Sequence, residues 1–286
     1  GCVAAYWQLV FGGDSLFAAT LATLLLTHTT IFSGLLTHEA MHNTLVGGKT
    51  INWFLGNVMT VISGAFTVSF DRLKHQHLAH HRFQVGYDGF SVTKWARAQP
   101  AWLLETLLLL EWCYVPVLSF IARVHSLTAP FLLEKHRELR TRMALALLVD
   151  ATFFAVIGWW RWRALVCALI SYVLMVMILR VYDCFHHVFD IVPLDTPIAE
   201  IPVENKDYEQ LHTYSSLFSR SEPWMNWLFL NYGYHNAHHF IPATHWLDLP
   251  ILDEEIYGDS QQHCLIGMQV LQQFHLHRTN RIRFGL

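Results

Sequence analysis

Three long apolar runs constrain the fold more than any other feature of this sequence. Crossing the ~30 Å hydrocarbon core of a bilayer takes about 20 apolar residues. Inside a bilayer every backbone N–H and C=O must be bonded within its own segment, so such runs fold as helices. The runs cover residues 15–37, 143–160 and 164–182.

A shorter apolar segment, 2–11, precedes the turn formed by Gly12, Gly13 and Asp14. The chain starts at Gly1 without a methionine and is already apolar there. We therefore expect 2–11 to be the end of a first span whose beginning is missing. The sequence predicts an all-α integral membrane protein with about four transmembrane helices, the first one truncated.

The composition agrees with a membrane location. Hydrophobic residues make up 53% of the 286 residues and charged residues 14%, whereas soluble domains carry about 25% charged residues. No basic block or stacking motif indicates a nucleic-acid partner. The five cysteines are far apart and form no C-x-x-C pair, which argues against a disulfide scaffold or an iron–sulfur site.

Positive charge predicts which side of the membrane the polar segments face. Ten of the 19 Lys and Arg residues fall within 72–142, so the positive-inside rule places this segment in the cytoplasm. We expect a single domain, 1–286, with a cytoplasmic helical cap formed by 71–142 and 183–286. Within 101–124 two glutamates interrupt the apolar pattern, which predicts an amphipathic helix on the membrane surface.

Histidine occurs 19 times, and eight of these residues form three boxes. The first box reads H-E-A-M-H, and both others read H-x-x-H-H. Positions i, i+3 and i+4 of a helix share a face, so we expect each box to present its imidazoles in one direction. The boxes comprise His38 and His42, then His77, His80 and His81, then His235, His238 and His239.

Taken alone, the first box is the signature of a zinc protease, with Glu39 as the general base. An intramembrane zinc metalloprotease is therefore one reading of the chain. That reading leaves the other two boxes unexplained, because one catalytic zinc takes three protein ligands. Eight aligned imidazoles favour two metal ions. A metal transporter would carry its ligands midway through the spans, whereas these boxes follow or flank span ends.

The three boxes, separated by roughly 35 and 150 residues, resemble those of the membrane fatty acid desaturase and hydroxylase superfamily. The segment 231–239, N-Y-G-Y-H-N-A-H-H followed by Pro242, is similar to the N-x-G-Y-H-N-x-H-H…P stretch of desaturases. The segments 71–73 and 246–250 are also similar to the family. The resemblance extends over about 15–250. It implies that the boxes hold a non-haem diiron centre on the cytoplasmic side, with O₂ as co-substrate.

The same resemblance bears on the topology. If 53–70 crossed the bilayer, the first and second boxes would lie on opposite sides and could not share a site. A common centre therefore requires 53–70 to dip in or lie flat, as the corresponding segment does in the family.

Further ligand candidates follow from the resemblance. The segment 184–190, C-F-H-H-V-F-D, is similar to an F-Q-H-T-Y-E stretch in some bacterial relatives, which makes His187 a ninth metal ligand. His186 aligns with the glutamine and is expected beside the metal site. His212 stands where relatives carry asparagine, and is a candidate for a further ligand or for a side chain that supports one.

Carboxylates near the boxes are candidates for orienting the ligands, because a ligating imidazole usually donates its other N–H to a carboxylate or carbonyl. This group comprises Asp183, Asp190, Asp71 and Glu39.

The resemblance implies an O₂-dependent diiron oxidoreductase that desaturates the hydrocarbon chain of a fatty acid or acyl derivative. The same site in relatives also supports hydroxylation, ketolation, acetylenic-bond formation, or oxidative decarboxylation to a terminal alkene, and the boxes do not distinguish these outcomes. The chain has neither a G-x-G-x-x-G dinucleotide site nor a cysteine cluster. An external electron donor is therefore expected: a ferredoxin, a rubredoxin, or a cytochrome with its reductase.

Overall fold

The computed structural model describes residues 1–13, 15–65, 67–88, 90–189, 191–193, 200–201, 205–258 and 263–284. The molecule is 73% helical with almost no strand, which confirms the predicted all-α class.

The α-helices in the described part of the chain are α1 Cys2–Phe11, α2 Leu16–His42, α3 Lys49–Ile62, α4 Phe70–Phe83, α5 Val92–Arg97, α6 Ala101–Trp112, α7 Val117–Leu132, α8 Arg140–Trp160, α9 Trp162–Asp183, α10 Lys206–Leu211, α11 His235–Phe240, α12 Leu249–Tyr257, α13 Met268–His277 and α14 Asn280–Phe284. Within the described residues, 3₁₀ segments cover Glu134–Leu139 and Pro223–Phe229. The strands are β1 Gly86–Asp88, β2 Ile191–Pro193, β3 Ser215–Leu217 and β4 Cys264–Ile266.

Among the described residues, three helical stretches are long and apolar enough to cross a membrane, and a bent pair brings the number to as many as four. The three are α2, α9 and Glu134–Trp160, in which the 3₁₀ segment runs into α8. The bent pair is α6 and α7. This arrangement confirms an all-α architecture with three to four candidate spans.

Helix α2 is longer than the bilayer core. Its 27 residues extend about 40 Å at 1.5 Å per residue, roughly 10 Å beyond the hydrocarbon. The Ser15 hydroxyl caps its first turn by accepting the N–H of Ala18. The helix continues past the predicted end at residue 37 through His42, and stops at Asn43, which adopts a left-handed conformation at φ 61°. The first box therefore lies on the last turns of a helix that outreaches the apolar layer.

Small residues pack α1, α2 and α9 closely together. Ala5 of α1, Ala22 of α2 and Ala164 of α9 are buried in one apolar cluster, and small side chains at such contacts let helix backbones approach in a bilayer. The Thr27 hydroxyl also donates to the Ser171 hydroxyl between α2 and α9 at 3.0 Å. At ten residues α1 is shorter than a span, and its origin as the end of a longer span stays a prediction.

The chain between the first two boxes begins and ends on one side of the molecule. Helix α3 has 14 residues, about 21 Å at 1.5 Å per residue, and packs along α2. The ring centroids of His38 and His77 are 4.5 Å apart. The second box thus lies on the same side of the molecule as the first, as a shared site requires.

The region 101–124 differs from the single surface helix that the sequence predicts. It forms α6 and α7, which meet at an angle of 114°. The helix breaks because Tyr114 is left-handed, at φ 64°, and Pro116 follows. Glu111 is buried rather than solvated, because its carboxylate pairs with Arg180 at 2.5 Å and accepts the N–H of Leu118.

Short parallel pairings join two pairs of segments: the one after α4 with the one after α9, and the one after α10 with the one after α12. Strand β1 pairs with β2, and β3 pairs with β4. An isolated antiparallel bridge joins His187 to Thr213. These contacts fix the loop after α9 against the segment that leads into the third box.

Candidate metal centre

The first box presents two imidazoles from the end of α2. His38 and His42 are four residues apart on one helix face, and their ring centroids are 5.0 Å apart. Glu39 is buried and accepts a hydrogen bond from the Thr44 hydroxyl at 2.8 Å, while its other oxygen lies 3.5 Å from His38 Nδ1. The Glu39 carboxylate is therefore held by Thr44 beside His38, and it makes no hydrogen bond to that ring.

The second box divides its histidines between two directions. Ser69 caps α4 by accepting the N–H of Arg72. His77 and His81 face the first box, whereas His80 turns the other way. The prediction that all three imidazoles of a box point in one direction is wrong here. Consecutive residues of a helix are rotated by about 100° around its axis, so His80 and His81 can face different directions.

The third box divides in the same manner. His238 joins the first-box side, whereas His235 and His239 face His80. Gly233, two residues before the box, lies against the backbone carbonyl of Ser216, so any Cβ at this position would collide with that oxygen. A glycine here lets the loop approach β3 and sets the position of α11.

The structure thus gathers nine imidazoles into two adjacent groups. The ligand nitrogens of the first group lie within 4.8 Å of one another, and so do those of three members of the second. His235 joins the second group through a 2.7 Å contact between its Nε2 and His187 Nε2. The first group comprises His38, His42, His77, His81 and His238, and the second comprises His80, His187, His235 and His239.

The spacing of the nitrogens fits a shared metal ion. Nε2 of His77 lies 2.7 Å from Nε2 of His42 and 3.1 Å from Nε2 of His81. One N–H cannot serve both neighbours, since a neutral imidazole carries a single proton. Two nitrogens at about 2.1 Å from one ion and at right angles to each other are ~3.0 Å apart, which matches this spacing.

Two rings have their tautomer fixed by the neighbouring residues. Nδ1–H of His80 donates to the Val85 carbonyl at 2.8 Å, and Nδ1–H of His239 donates to the Glu209 carboxylate at 2.9 Å. Each neutral ring then carries a lone pair on Nε2, as a metal ligand must. Nε2 of His239 is buried and has no hydrogen-bond partner, which is the condition expected for an atom that faces an ion.

Burial keeps these imidazoles neutral. Desolvation, reinforced by neighbouring histidines, lowers the pKa values of His77, His81, His235, His238 and His239 well below 6.5. The same causes lower the pKa of His187 to about 2. Neutral rings keep the lone pairs that metal binding requires.

A buried carboxylate that the sequence analysis missed supports the second group. Glu209 of α10 is fully buried, and its other oxygen accepts from Lys206 Nζ at 2.6 Å. Lys206 Nζ also donates to the His239 carbonyl at 2.8 Å. Burial raises the pKa of Glu209, and Lys206 opposes that rise. No spacing rule marks Glu209, since it belongs to a polar segment far from any box in sequence.

Two of the predicted supporting residues lie beside the second group. His186 is buried, its Nδ1–H donates to the Asp183 carboxylate at 2.9 Å, and its ring stacks on His235 with centroids 4.2 Å apart. The Tyr232 hydroxyl donates to the same carboxylate at 3.4 Å and its ring meets His38 edge-on. Asp183 and His186 therefore position His235 and Tyr232.

Other predicted residues lie elsewhere. The Asp71 carboxylate accepts a hydrogen bond from the indole N–H of Trp53 at 2.9 Å. His212 donates its Nδ1–H to the Tyr208 carbonyl at 2.8 Å, and its imidazole stacks on the Tyr208 ring. Neither belongs to a ligand group in the described part of the chain. The carboxylate of Asp71 is held at the start of α4, before the turns that carry the box. Asp190 lies outside the described residues.

The comparisons with known proteins agree with this geometry. The sequence model of the family described as "Fatty acid desaturase" matches residues 15–266, a range that includes all nine imidazoles. No curated protein and no solved structure matches the chain. On the extent of the family match, the chain belongs to the fatty acid desaturase family.

Proposed function

We propose that this protein is an O₂-dependent, non-haem diiron membrane oxidase that desaturates the hydrocarbon chain of a fatty acid or acyl derivative. The observation that carries the proposal is the pair of adjacent imidazole groups at the end of a membrane helix, in a chain of the desaturase family. Each group offers at least three nitrogens to its own ion.

The ligand chemistry is compatible with iron. Imidazole nitrogen suits iron as well as zinc and copper, and thiolate is absent from both groups. Two iron ions bound here would supply the activation of O₂ and the cleavage of an unactivated C–H bond. The protein would supply the metal geometry, the orientation of the chain and the exclusion of water.

The chain's own residues perform the positioning. Val85 and Glu209 fix the rings of His80 and His239 from behind, so that Nε2 of each ring points inward. Burial of His235, His238 and His239, none more than 2% exposed, keeps water from the inner side of the site.

An acyl chain has a route to the second group. A cavity of about 730 Å³ is lined by His80 and His187 at one part of its wall and by apolar side chains such as Phe90, Leu118 and Phe189 elsewhere. Apolar walls with a few polar groups are typical of a site that binds a hydrocarbon ligand.

We further propose that the centre faces the cytoplasm and receives electrons from a separate ferredoxin, rubredoxin or cytochrome. The basic segment 72–142 supports both points, because it follows the positive-inside rule and would attract an acidic partner.

Product analysis by gas chromatography and mass spectrometry tests the proposed reaction. Cells that express the chain are fed fatty acids of several lengths, with His239→Ala as the inactive variant and His212→Ala as the matched histidine control. A product with the same carbon count and two fewer hydrogens supports desaturation. A hydroxylated product, or an alkene one carbon shorter, would replace desaturation by hydroxylation or oxidative decarboxylation. Products identical to those of His239→Ala at all lengths would contradict an acyl substrate.

A further inference from the structure

Arg278 is a buried cation with no carboxylate partner in the described part of the chain. Arg278 is 9% exposed, and its Nε–H donates to the Trp112 carbonyl at 2.9 Å. A terminal nitrogen donates to the His275 carbonyl, and the guanidinium lies over the rings of Trp112 and Tyr114. Burying an ion is unfavourable unless a counter-charge compensates it, so this guanidinium calls for an anion.

Arg278 lines the same cavity as the second imidazole group. The cavity, about 730 Å³ in volume, is open to solvent and reaches His80 and His187. On the Arg278 side its wall includes Phe274, His277 and Asn280. The amide of Asn280 donates to His277 Nδ1 at 2.8 Å, which leaves Nε2 of a neutral His277 as the protonated nitrogen.

The other charges along this cavity are already engaged. Arg180 pairs with the buried Glu111 at 2.5 Å, so the two charges cancel. Asp183 accepts from His186 at 2.9 Å and from the Tyr232 hydroxyl at 3.4 Å. The uncompensated positive charge of the wall is therefore that of Arg278.

We propose that this cavity binds the anionic head group of the acyl substrate at Arg278, with the first part of the chain running towards His80 and His187. Two of the three guanidinium nitrogens of Arg278 have carbonyl acceptors, and the third has none among the described residues. One free donor nitrogen suits one carboxylate. A phosphate group of an acyl coenzyme A thioester would likewise offer anionic oxygens to this nitrogen.

The Arg278 side of the cavity lies outside the part of the chain that the family model matches, whereas the wall at His80 and His187 lies within it. The family match ends at residue 266, whereas Phe274, His277, Arg278 and Asn280 come from α13, α14 and the turn between them. The residues proposed to contact the head group therefore come from the C-terminal helices α13 and α14 and the turn between them. The inference rests on the proposed function for its acyl substrate, but the cation and the cavity do not depend on which reaction follows.

Equilibrium binding without turnover tests the site. Isothermal titration calorimetry of the purified protein in detergent, with no electron donor present, compares hexadecanoic acid, its methyl ester and its coenzyme A thioester. We expect Arg278→Gln to weaken binding of an anionic ligand about tenfold or more, as the loss of a charge-assisted hydrogen bond does. The methyl ester should bind equally to both proteins. Arg283→Gln, an exposed arginine on α14, is the matched control and should bind all three like wild type.

The ligands separate the two sources of negative charge. A loss confined to the free acid identifies a carboxylate, and a loss confined to the thioester identifies a phosphate; both support the site. Unchanged binding of both anions by a folded Arg278→Gln protein would overturn the proposal. If Arg278→Gln does not fold, the affinities of the wild-type protein still test the proposal. Equal affinity of wild type for the acid, the thioester and the neutral ester would overturn the proposed anion site. Unchanged binding in this test would refute the head-group site but would not affect the metal content or the products of the enzyme. Absence of iron or of an oxidised product would refute the proposed function but not the head-group site.

Discussion

Replacing Glu209 by glutamine removes one negative charge from behind the second imidazole group and changes almost nothing else in size. Glu209 is fully buried, accepts the Nδ1–H of His239 at 2.9 Å and accepts from Lys206 at 2.6 Å. The amide keeps one acceptor oxygen, but it no longer polarises the ring and no longer neutralises the ammonium group. A less basic and less rigidly oriented His239 should bind metal more weakly.

The size of the effect follows from these contacts. Removing a hydrogen-bonded carboxylate behind a ligating histidine lowers metal affinity by about 10- to 100-fold. This corresponds to roughly 1.4–2.7 kcal/mol. We expect the upper half of that range, because Glu209 is buried and holds both the imidazole and Lys206, which itself donates to the His239 carbonyl at 2.8 Å.

Competition with an iron chelator measures this change. Purified wild type, Glu209→Gln and the control Glu255→Gln, an exposed glutamate on α12, are titrated anaerobically with a ferrous chelator. Glu209→Gln should release the iron of the second group at about 30- to 100-fold lower chelator activity than wild type, and the control should match wild type. Iron retention by a folded Glu209→Gln protein equal to that of wild type would refute the idea that this carboxylate tunes His239.

Four further predictions concern other parts of the molecule. Gly233→Ala should lower the melting temperature by several degrees and reduce iron content, because its Cβ would collide with a backbone carbonyl of β3; Gly47→Ala, where nothing lies within 4 Å, is the control. Asp253, buried beside Arg220, has a pKa raised to about 6, so the folded protein binds its proton more tightly than the unfolded chain and stability from this group falls as pH rises from about 4 to 6. The stability of Asp253→Asn relative to wild type should therefore increase by up to about 3 kcal/mol between pH 4 and 7, and thermal unfolding at both pH values checks the sign. Glu39→Gln should reduce formation of the oxidised acyl product only in part, because the Glu39 carboxylate lies 3.5 Å from His38 Nδ1 and belongs to neither imidazole group; zinc in place of iron in wild type, with no oxidised acyl product, would favour a protease. If the head group is fixed in the cavity, the oxidised position should keep the same count from the carboxyl end as substrate length changes, and a constant count from the methyl end in the product spectra would oppose this.

Apolar length and histidine spacing were sufficient to predict the membrane class and the residues that come together. Both signals are local, since a run of about 20 apolar residues has few alternatives in a bilayer. His187 was identified because its surrounding segment resembles one in relatives. Helix geometry allows the third and fourth positions after the first histidine of an H-x-x-H-H box to face different metal groups. The sequence alone did not predict this division, because it depends on which histidines from other segments lie on each side of the helix.

Long-range partners were not predictable in the same way. Glu209 meets His239 through the fold, 30 positions along the chain, and no pattern links two residues at that separation. Asp71 lies close to the second box in sequence, but its carboxylate bonds to Trp53 because α3 packs there. The burial of Glu111 was missed because its counter-charge, Arg180, belongs to a different helix.

Metal analysis of the purified wild-type chain tests the central claim most directly. Inductively coupled plasma mass spectrometry, with protein concentration from amino-acid analysis, counts the ions per chain. Two imidazole groups that each hold an iron ion predict two irons per chain, falling towards one in His238→Ala and His239→Ala. A single zinc per chain, or no transition metal in a folded and active protein, would contradict the account.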